Sequence, residues 1–277
     1  MKSNYIKRNL ITGLLLSVVL IYILVMLFPY IWMVLTAFKY RVDAFSIPPK
    51  LIFNATLENF KIAFIDKNFI LNFKNSLIVV TLTTFFSLLL GLPSAYAFSR
   101  FHFKGDRFLY FYLLGTRFTP IIVLTLPLYL IMNWLNLTNT YVGITIAHTT
   151  FNLVFVVWMM KGFFDTVPLE VDEAARVDGC SWFKVFLTIA LPLTKSGIAA
   201  TAVFCSINSW NEFLMALVLA GRETNTLTVA IPGLLTPQGT YWGQIAAVGT
   251  VITLPIFIFA ILVQRHMIKG MTMGAIK

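Results

Sequence analysis

The stretch VPLEVDEAARVDGCSWFKVFLTIALP, residues 167–192, decides how this chain is read, because it is a polar, helix-forming insert between apolar runs long enough to cross a bilayer. It reads as two short helices with a hinge. Pro168 suits a first helical position, and Glu170, Asp172 and Glu173 fall in the early turns, where acidic groups meet the positive end of the helix dipole. Gly179 is a natural stop, since glycine accepts the left-handed conformation that ends many helices. Ser181 is placed to cap a second helix whose apolar residues Trp182, Phe183, Phe186 and Ile189 recur at roughly helical spacing. Leu191-Pro192 closes the unit. Such an insert describes a membrane protein with a projecting surface built to touch something else.

The rest of the chain agrees. Hydrophobic residues make up 58% of it, charged residues 12%, and the mean hydropathy is +0.84, which excludes an ordinary soluble domain. The two cysteines, Cys180 and Cys205, lie in the insert and in an apolar run, so a disulfide framework or a cysteine metal cluster is not expected.

Runs without charge can be measured against the roughly 20 apolar residues that a helix needs to cross a bilayer. Residues 9–38 and 75–99 each supply one crossing. Residues 118–160 hold no Asp, Glu, Lys or Arg, and with the stretch from Phe108 they supply two more, with a break at Asn133 to Thr140. Residues 196–221, containing only Glu212, form a fifth, and residues 241–264 a sixth. The first run is too long for a signal-peptide core and lacks a small-residue cleavage pattern, so it reads as a retained span. Six spans put both ends on one side. With that side taken as the cytoplasm, the inner segments hold thirteen basic residues and the outer ones seven, Arg117 lying within a span. The bias favours both termini and the insert inside. The net charge of +10 is mostly this orientation signal, which makes nucleic acid a poor guess for a partner.

Pro29, Gly91 with Pro93, Pro120, Pro127 and Pro255 punctuate the spans. They suit either a pathway that kinks to open or the ordinary frequency of proline in membrane helices. Arg117 and Glu212 are the two charges inside predicted spans, each costing on the order of 3 kcal/mol at a helix centre, so both should face protein or water. Counted from the span ends, their depths differ by roughly 12 Å, which disfavours a direct pair. Asn208, Asn211 and Glu212 share one helical face beside Trp210. That face suits either hydrogen bonding to a polyhydroxylated solute, with Trp210 stacking on it, or polar adhesion between helices. His148 and Asn152, one turn apart, form a weaker candidate of the same kind.

Glycine is never followed directly by lysine here, so the phosphate-binding loop of nucleotide hydrolases is absent and ATP-driven transport would need a separate hydrolase. Glu173-Ala174-Ala175, Gly179, Ile189, Leu191 and Pro192 resemble the complete EAA loop of permease subunits of bacterial ATP-binding-cassette importers. Trp210-Asn211-Glu212-Phe213 and the tail from Gln264-Arg265 to Lys269-Gly270-Met271-Thr272-Met273-Gly274-Ala275-Ile276-Lys277 resemble its carbohydrate branch, the maltose-type permeases; the tail stops at Lys277 where many relatives add a glycine.

The resemblance covers nearly the whole chain. It implies a type I importer fold, all-α with six transmembrane helices, in a single permease domain over residues 1–277 with the EAA loop at about 165–193. It implies a bacterial cytoplasmic membrane location, a homologous second permease, two ATPase subunits that carry ATP and Mg, an extracytoplasmic solute-binding protein, and import of a sugar or oligosaccharide. This chain itself would carry neither cofactor nor catalytic residue. Glu173 would make the ionic contact with the ATPase and Gly179 the bend, Ala174 and Ala175 would permit close approach, and Leu191 and Pro192 would end the loop. Arg117, Asn208, Trp210, Asn211 and Glu212 would be the candidates for the solute pathway. The loop from Arg222 to Tyr241 would face outward, where the binding protein docks.

Two rivals need other features. Asp172-Glu173-Ala174-Ala175-Arg176 faintly resembles the metal motif of phospholipid head-group transferases, yet beyond Asp178 the next acid is Glu212, so that motif's carboxylate cluster is missing. A secondary transporter would have no use for an EAA loop.

Overall fold

In the computed structural model, which describes residues 2–236 and 239–272, four helices are long and apolar enough to cross a membrane. They contain Thr12–Ala37, Phe69–Arg100, Tyr141–Asp165 and Trp242–Leu262. Two further spans are broken ones. Asp106–Phe118 and Ile121–Trp134 meet at 101°, and Trp182–Leu193 and Lys195–Asn211 meet at 80°. Counting each bent pair once gives up to six spans; the first pair falls on the expected third span, and the second joins the end of the 167–192 insert to the start of the expected fifth. Among the described residues the remaining regular structure is the helix Leu169–Val177, several shorter helical segments and one two-residue antiparallel ladder, Leu235–Thr236 against Gly239–Thr240.

The breaks have local causes. Thr119 is extended (φ −71°, ψ 122°), as a residue before proline prefers, and Pro120 starts the next helix, so the third span turns there. Pro29, Pro93, Pro127 and Pro255, by contrast, sit inside continuous helices. The expected break between the third and fourth spans is built on Asn136 and Asn139, both in the left-handed region (φ 56° and 60°), and on Thr140, whose hydroxyl accepts the Gly143 N–H at 3.1 Å.

The fifth span differs from the uninterrupted run expected over residues 196–221. Helix Lys195–Asn211 stops at Glu212, which is extended (φ −68°, ψ 131°), and a short helix restarts over Leu214–Leu219. The cause is the carboxylate itself. It accepts the N–H groups of Met215 (2.9 Å) and Ala216 (3.1 Å), which the restarting helix would otherwise leave unpaired in an apolar setting.

The chain packs as two compact units, one of Met1–Asn68 with Gly233–Ile252 and one of Phe69–Pro232 with Thr253–Lys277. In the first, Ala37, Ala246 and Ala247 are buried with Met33, Phe38 and Phe60 against them, and Asn59 donates to the carbonyls of Ala37 and Lys39. Its amino-terminal helix exposes apolar side chains all round from Leu14 to Phe28, as a helix surrounded by lipid does.

The second unit holds both functional regions. The second and fourth spans are its central pair, with Val79, Ala95, Tyr96, Ile144, Val156, Val157 and Met160 in the buried clusters between the helices. Their approach needs Gly91, where a Cβ would fall 2.5 Å from Val156 Cγ1, and the fifth span closes on the fourth at Gly197, where a Cβ would fall 2.4 Å from Phe163 Cγ. Small residues permit such helix contact in lipid. The carboxyl-terminal run follows the last helix as far as Thr272, and residues 273–277 lie outside the described residues.

Candidate functional site

The 167–192 insert folds as the sequence predicts, displaced by one residue at its start. Pro168 is extended (ψ 137°) and precedes the helix Leu169–Val177. The helix ends on Gly179 (φ 85°): the Gly179 N–H donates to the Arg176 carbonyl (3.1 Å) and the Cys180 N–H to that of Ala175 (3.0 Å). These two bonds close the orphan carbonyls of the last turn and require a left-handed residue between them. Ser181 Oγ accepts the Lys184 N–H (3.3 Å) to begin Trp182–Val185, and Arg176 lies over the Trp182 ring at 5.3 Å. The chain then passes through a wider turn, Phe186–Ala190, to Leu191–Leu193, with Pro192 in the final turn before the bend.

Burial separates the acids that the sequence grouped together. Glu170, Glu173 and Ala174 are exposed, whereas Asp172 and Ala175, three residues apart, face inward. Asp172 is fully buried and lies 2.6 Å from Arg100 Nε, with Tyr96 donating its hydroxyl at 3.1 Å. The Arg100 guanidinium also donates to the Val167 carbonyl (2.9 Å) and to Ser99 Oγ (3.1 Å). Ser99 in turn donates to Asp165, whose other oxygen holds Lys161. Asp172 is therefore one half of a buried ion pair, not a solvated dipole charge. Removing one partner of such a pair costs about 3–5 kcal/mol, because the other charge is left buried and alone. Sequence reasoning missed this cluster. Its faint signal was Arg100 closing an apolar run, with Tyr96 one turn before it.

The glutamate outside that clamp, Glu173, points away from the rest of the chain and pairs with no basic group among the described residues. Leu169, Val171, Val177 and Phe183 of the same loop are exposed as well. The outer face of the loop thus offers the carboxylates of Glu170 and Glu173 among exposed apolar side chains, and the inner face is bolted to the end of the second span.

The second region is a cavity of about 420 Å³ between the third, fourth and fifth spans. It gathers Arg117, His148, Asn152, Asn208 and Glu212, together with Thr150, Phe118 and Phe151. Arg117 and Glu212 thus border one cavity, and the direct pair that their expected depths disfavoured is not formed among the described residues. Both charges sit where a helix is interrupted, Arg117 in the tight turn Thr116–Phe118 and Glu212 at its own break, and these interruptions bring them to one cavity. Arg117 lies over the Phe155 ring (5.2 Å), and Glu212 lies 3.0 Å from Nε2 of the buried His148. His148 Nδ1 is 2.9 Å from Ser209 Oγ, and Asn152 donates to the His148 carbonyl (3.1 Å).

The five pathway candidates therefore divide. Arg117, Asn208 and Glu212 line the cavity; Trp210 is 2% exposed with its ring edge-on to Phe73 at 5.6 Å, and Asn211 bonds back to the Ile207 carbonyl (3.0 Å). Asn208 and Asn211 are both exposed, three residues apart at the end of one helix, but the helix stops at Asn211, so the face they share is not continued to Glu212.

Comparison with known proteins places the chain among transporters. Residues 87–273 match the family described as the binding-protein-dependent transport system inner membrane component. The chain is 38% identical over 253 residues to a probable ABC transporter permease protein, y4oR, of Sinorhizobium fredii, with 91% of each chain covered. It is 32% identical over 283 residues to the trehalose/maltose transport system permease protein MalG of Thermococcus litoralis, covering 100% of this chain and 99% of that one. A crystal structure of a bacterial ABC transporter involved in import of the acidic polysaccharide alginate superposes with a TM-score of 0.76 at 22% identity, over 92% of this chain and 96% of its counterpart, which shows a shared fold.

Proposed function

The chain belongs to the family of binding-protein-dependent transport system inner membrane components, and from that premise we propose that this permease imports a sugar or oligosaccharide. A homologous second permease completes the pathway. Two ATPase subunits on the cytoplasmic side bind and hydrolyse ATP with Mg, and both termini lie on that side. Glu173 meets a basic group of the ATPase, Gly179 sets the bend, Ala174 allows close approach, and Leu191 with Pro192 ends the docking unit. Ala175 contributes from the inner face, where its small side chain lets the docking helix sit against the membrane helices.

The observation that carries this reading is the two-sidedness of the loop: an exposed Glu173 on a helix whose neighbouring acid, Asp172, is locked to Arg100. A helix held this way transmits a push, whereas a free helix would absorb it. A sugar suits the cavity because donors and acceptors (Arg117, Asn152, Asn208, Glu212) stand among the apolar faces of Phe118, Phe151 and Leu124. Relatives named for trehalose/maltose and for diacetylchitobiose transport support the solute class.

Uptake of labelled oligosaccharide into proteoliposomes holding the permease pair, the ATPases and the binding protein tests the coupling role. Glu173→Lys, present at wild-type level, is expected to abolish ATP-driven uptake. Uptake at the wild-type rate would remove Glu173 from the docking contact.

A further inference from the structure

The helix Phe69–Arg100, long and apolar enough to cross a membrane, is anchored by polar contacts at both ends. At one end Arg100 and Tyr96 grip Asp172 of the docking helix, and Arg100 also holds the Val167 carbonyl. At the other, Asn72, Asn75 and Ser76 lie on one face at spacings of three and four. Asn75, fully buried, donates to the carbonyls of Glu223 (2.8 Å) and Asn225 (2.9 Å) and accepts the Tyr141 hydroxyl (2.7 Å). Asn72 donates to the Asn225 carbonyl as well (3.0 Å), and Ser76 Oγ accepts the Leu227 N–H (2.8 Å).

Neither segment is the helix's neighbour in sequence. Residues 223–227 follow it by more than 120 positions and Asp172 by 72, so these contacts are the direct means by which the helix grips them. Between the anchors the helix is unbroken despite Pro93, and it is keyed to the fourth span at Gly91 against Val156. From Asn75 to Arg100 it runs roughly 38 Å at the rise of an α-helix. A continuous helix with buried polar anchors at both ends passes a displacement along its axis, because stretching or shortening it would break its own hydrogen bonds.

We propose that the second span is a strut that carries the docking of the binding protein at the 223–227 segment to the ATPase-docking helix, with Asn75 and Arg100–Asp172 as its two positioning anchors. This rests on the assignment of the EAA loop to the ATPase and of the 222–241 loop to the binding protein. Severing either anchor disconnects the two ends, so the loss from both together equals the loss from one.

The test uses the complete complex in lipid nanodiscs: both permeases, the ATPases and the cognate binding protein, charged with whichever of maltose, trehalose and chitobiose it binds tightest. The readout is the ratio of ATP hydrolysis with and without the charged binding protein. Asn75→Ala and Asp172→Asn are each expected to lower that ratio about tenfold in complexes of normal stoichiometry, and the double variant is expected to lower it no further. Arg100→Gln combined with Asp172→Asn replaces Asp172→Asn alone should the latter not assemble, since the neutral pair removes the ion pair without leaving either charge buried and alone. Unchanged ratios, or losses that multiply in the double variant, overturn the strut while leaving the importer reading intact. A wild-type complex that the charged binding protein does not stimulate overturns the importer reading instead.

Discussion

Gly179 offers a perturbation whose size can be worked from the backbone. Its φ is 85°, and a Cβ added there would meet nothing within 4 Å, so within this chain any substitution acts through backbone conformation and not through a clash. A left-handed residue other than glycine costs roughly 1–2 kcal/mol, less for asparagine, whose side chain bonds locally, and more for a β-branched residue. A loop that holds its docking shape less often binds its partner in proportion to the competent fraction. Gly179→Ala should therefore weaken association with the ATPase by up to about 5–30-fold, the factor that 1–2 kcal/mol represents. Gly179→Asn should weaken it least and Gly179→Val most. The dissociation constant of the purified ATPase on nanodisc-held permease pairs measures this directly. Asparagine and valine are of similar bulk, so equal losses for the two would refute the backbone argument and show that the ATPase surface is sensing side-chain volume at this position.

Two further outcomes are expected. In a background without Cys180 and Cys205, single cysteines near Lys2 and in the Arg100 to Arg107 loop should resist an impermeant thiol reagent in intact cells while cysteines near Lys61 or Asn225 react; labelling near Lys2 from outside would invert the orientation. In the cavity, Asn208→Ala should change the preference between two competing sugars by about 2–10-fold, the worth of one hydrogen bond of roughly 0.5–1.5 kcal/mol, while Asn211→Ala leaves preference unchanged. The reverse pattern in competitive uptake would exclude the cavity as the solute site.

Much of the architecture was legible because bilayer thickness sets a length that apolar runs either meet or miss, and because Gly179 and Ser181 leave strong local signatures. What the sequence concealed are long-range or cooperative facts. Asp172 and Glu173 are adjacent acids on one helix, and only the packing of Arg100 and Tyr96, more than 70 residues away, decides which is buried. The interruption at Glu212 was hidden because a charge in an apolar run reads as a cost to be placed somewhere, whereas here the charge ends one helix and starts another. Arg117 and Glu212 each sit where a helix is interrupted, so their place beside one cavity could not be counted along ideal helices.

The capping duty of Glu212 also bears on how a permease of this design can change its diet. Both carboxylate oxygens are already committed to the Met215 and Ala216 N–H groups, so a replacement chosen for a new solute would first have to keep the fifth span folded. Asn208, Thr150 and Arg117 border the same space, and among the described residues it is Glu212 that caps the restarting helix. A lineage adapting to a different sugar would therefore be expected to alter those positions first, keeping the acid as a fixed post around which the binding surface is rewritten.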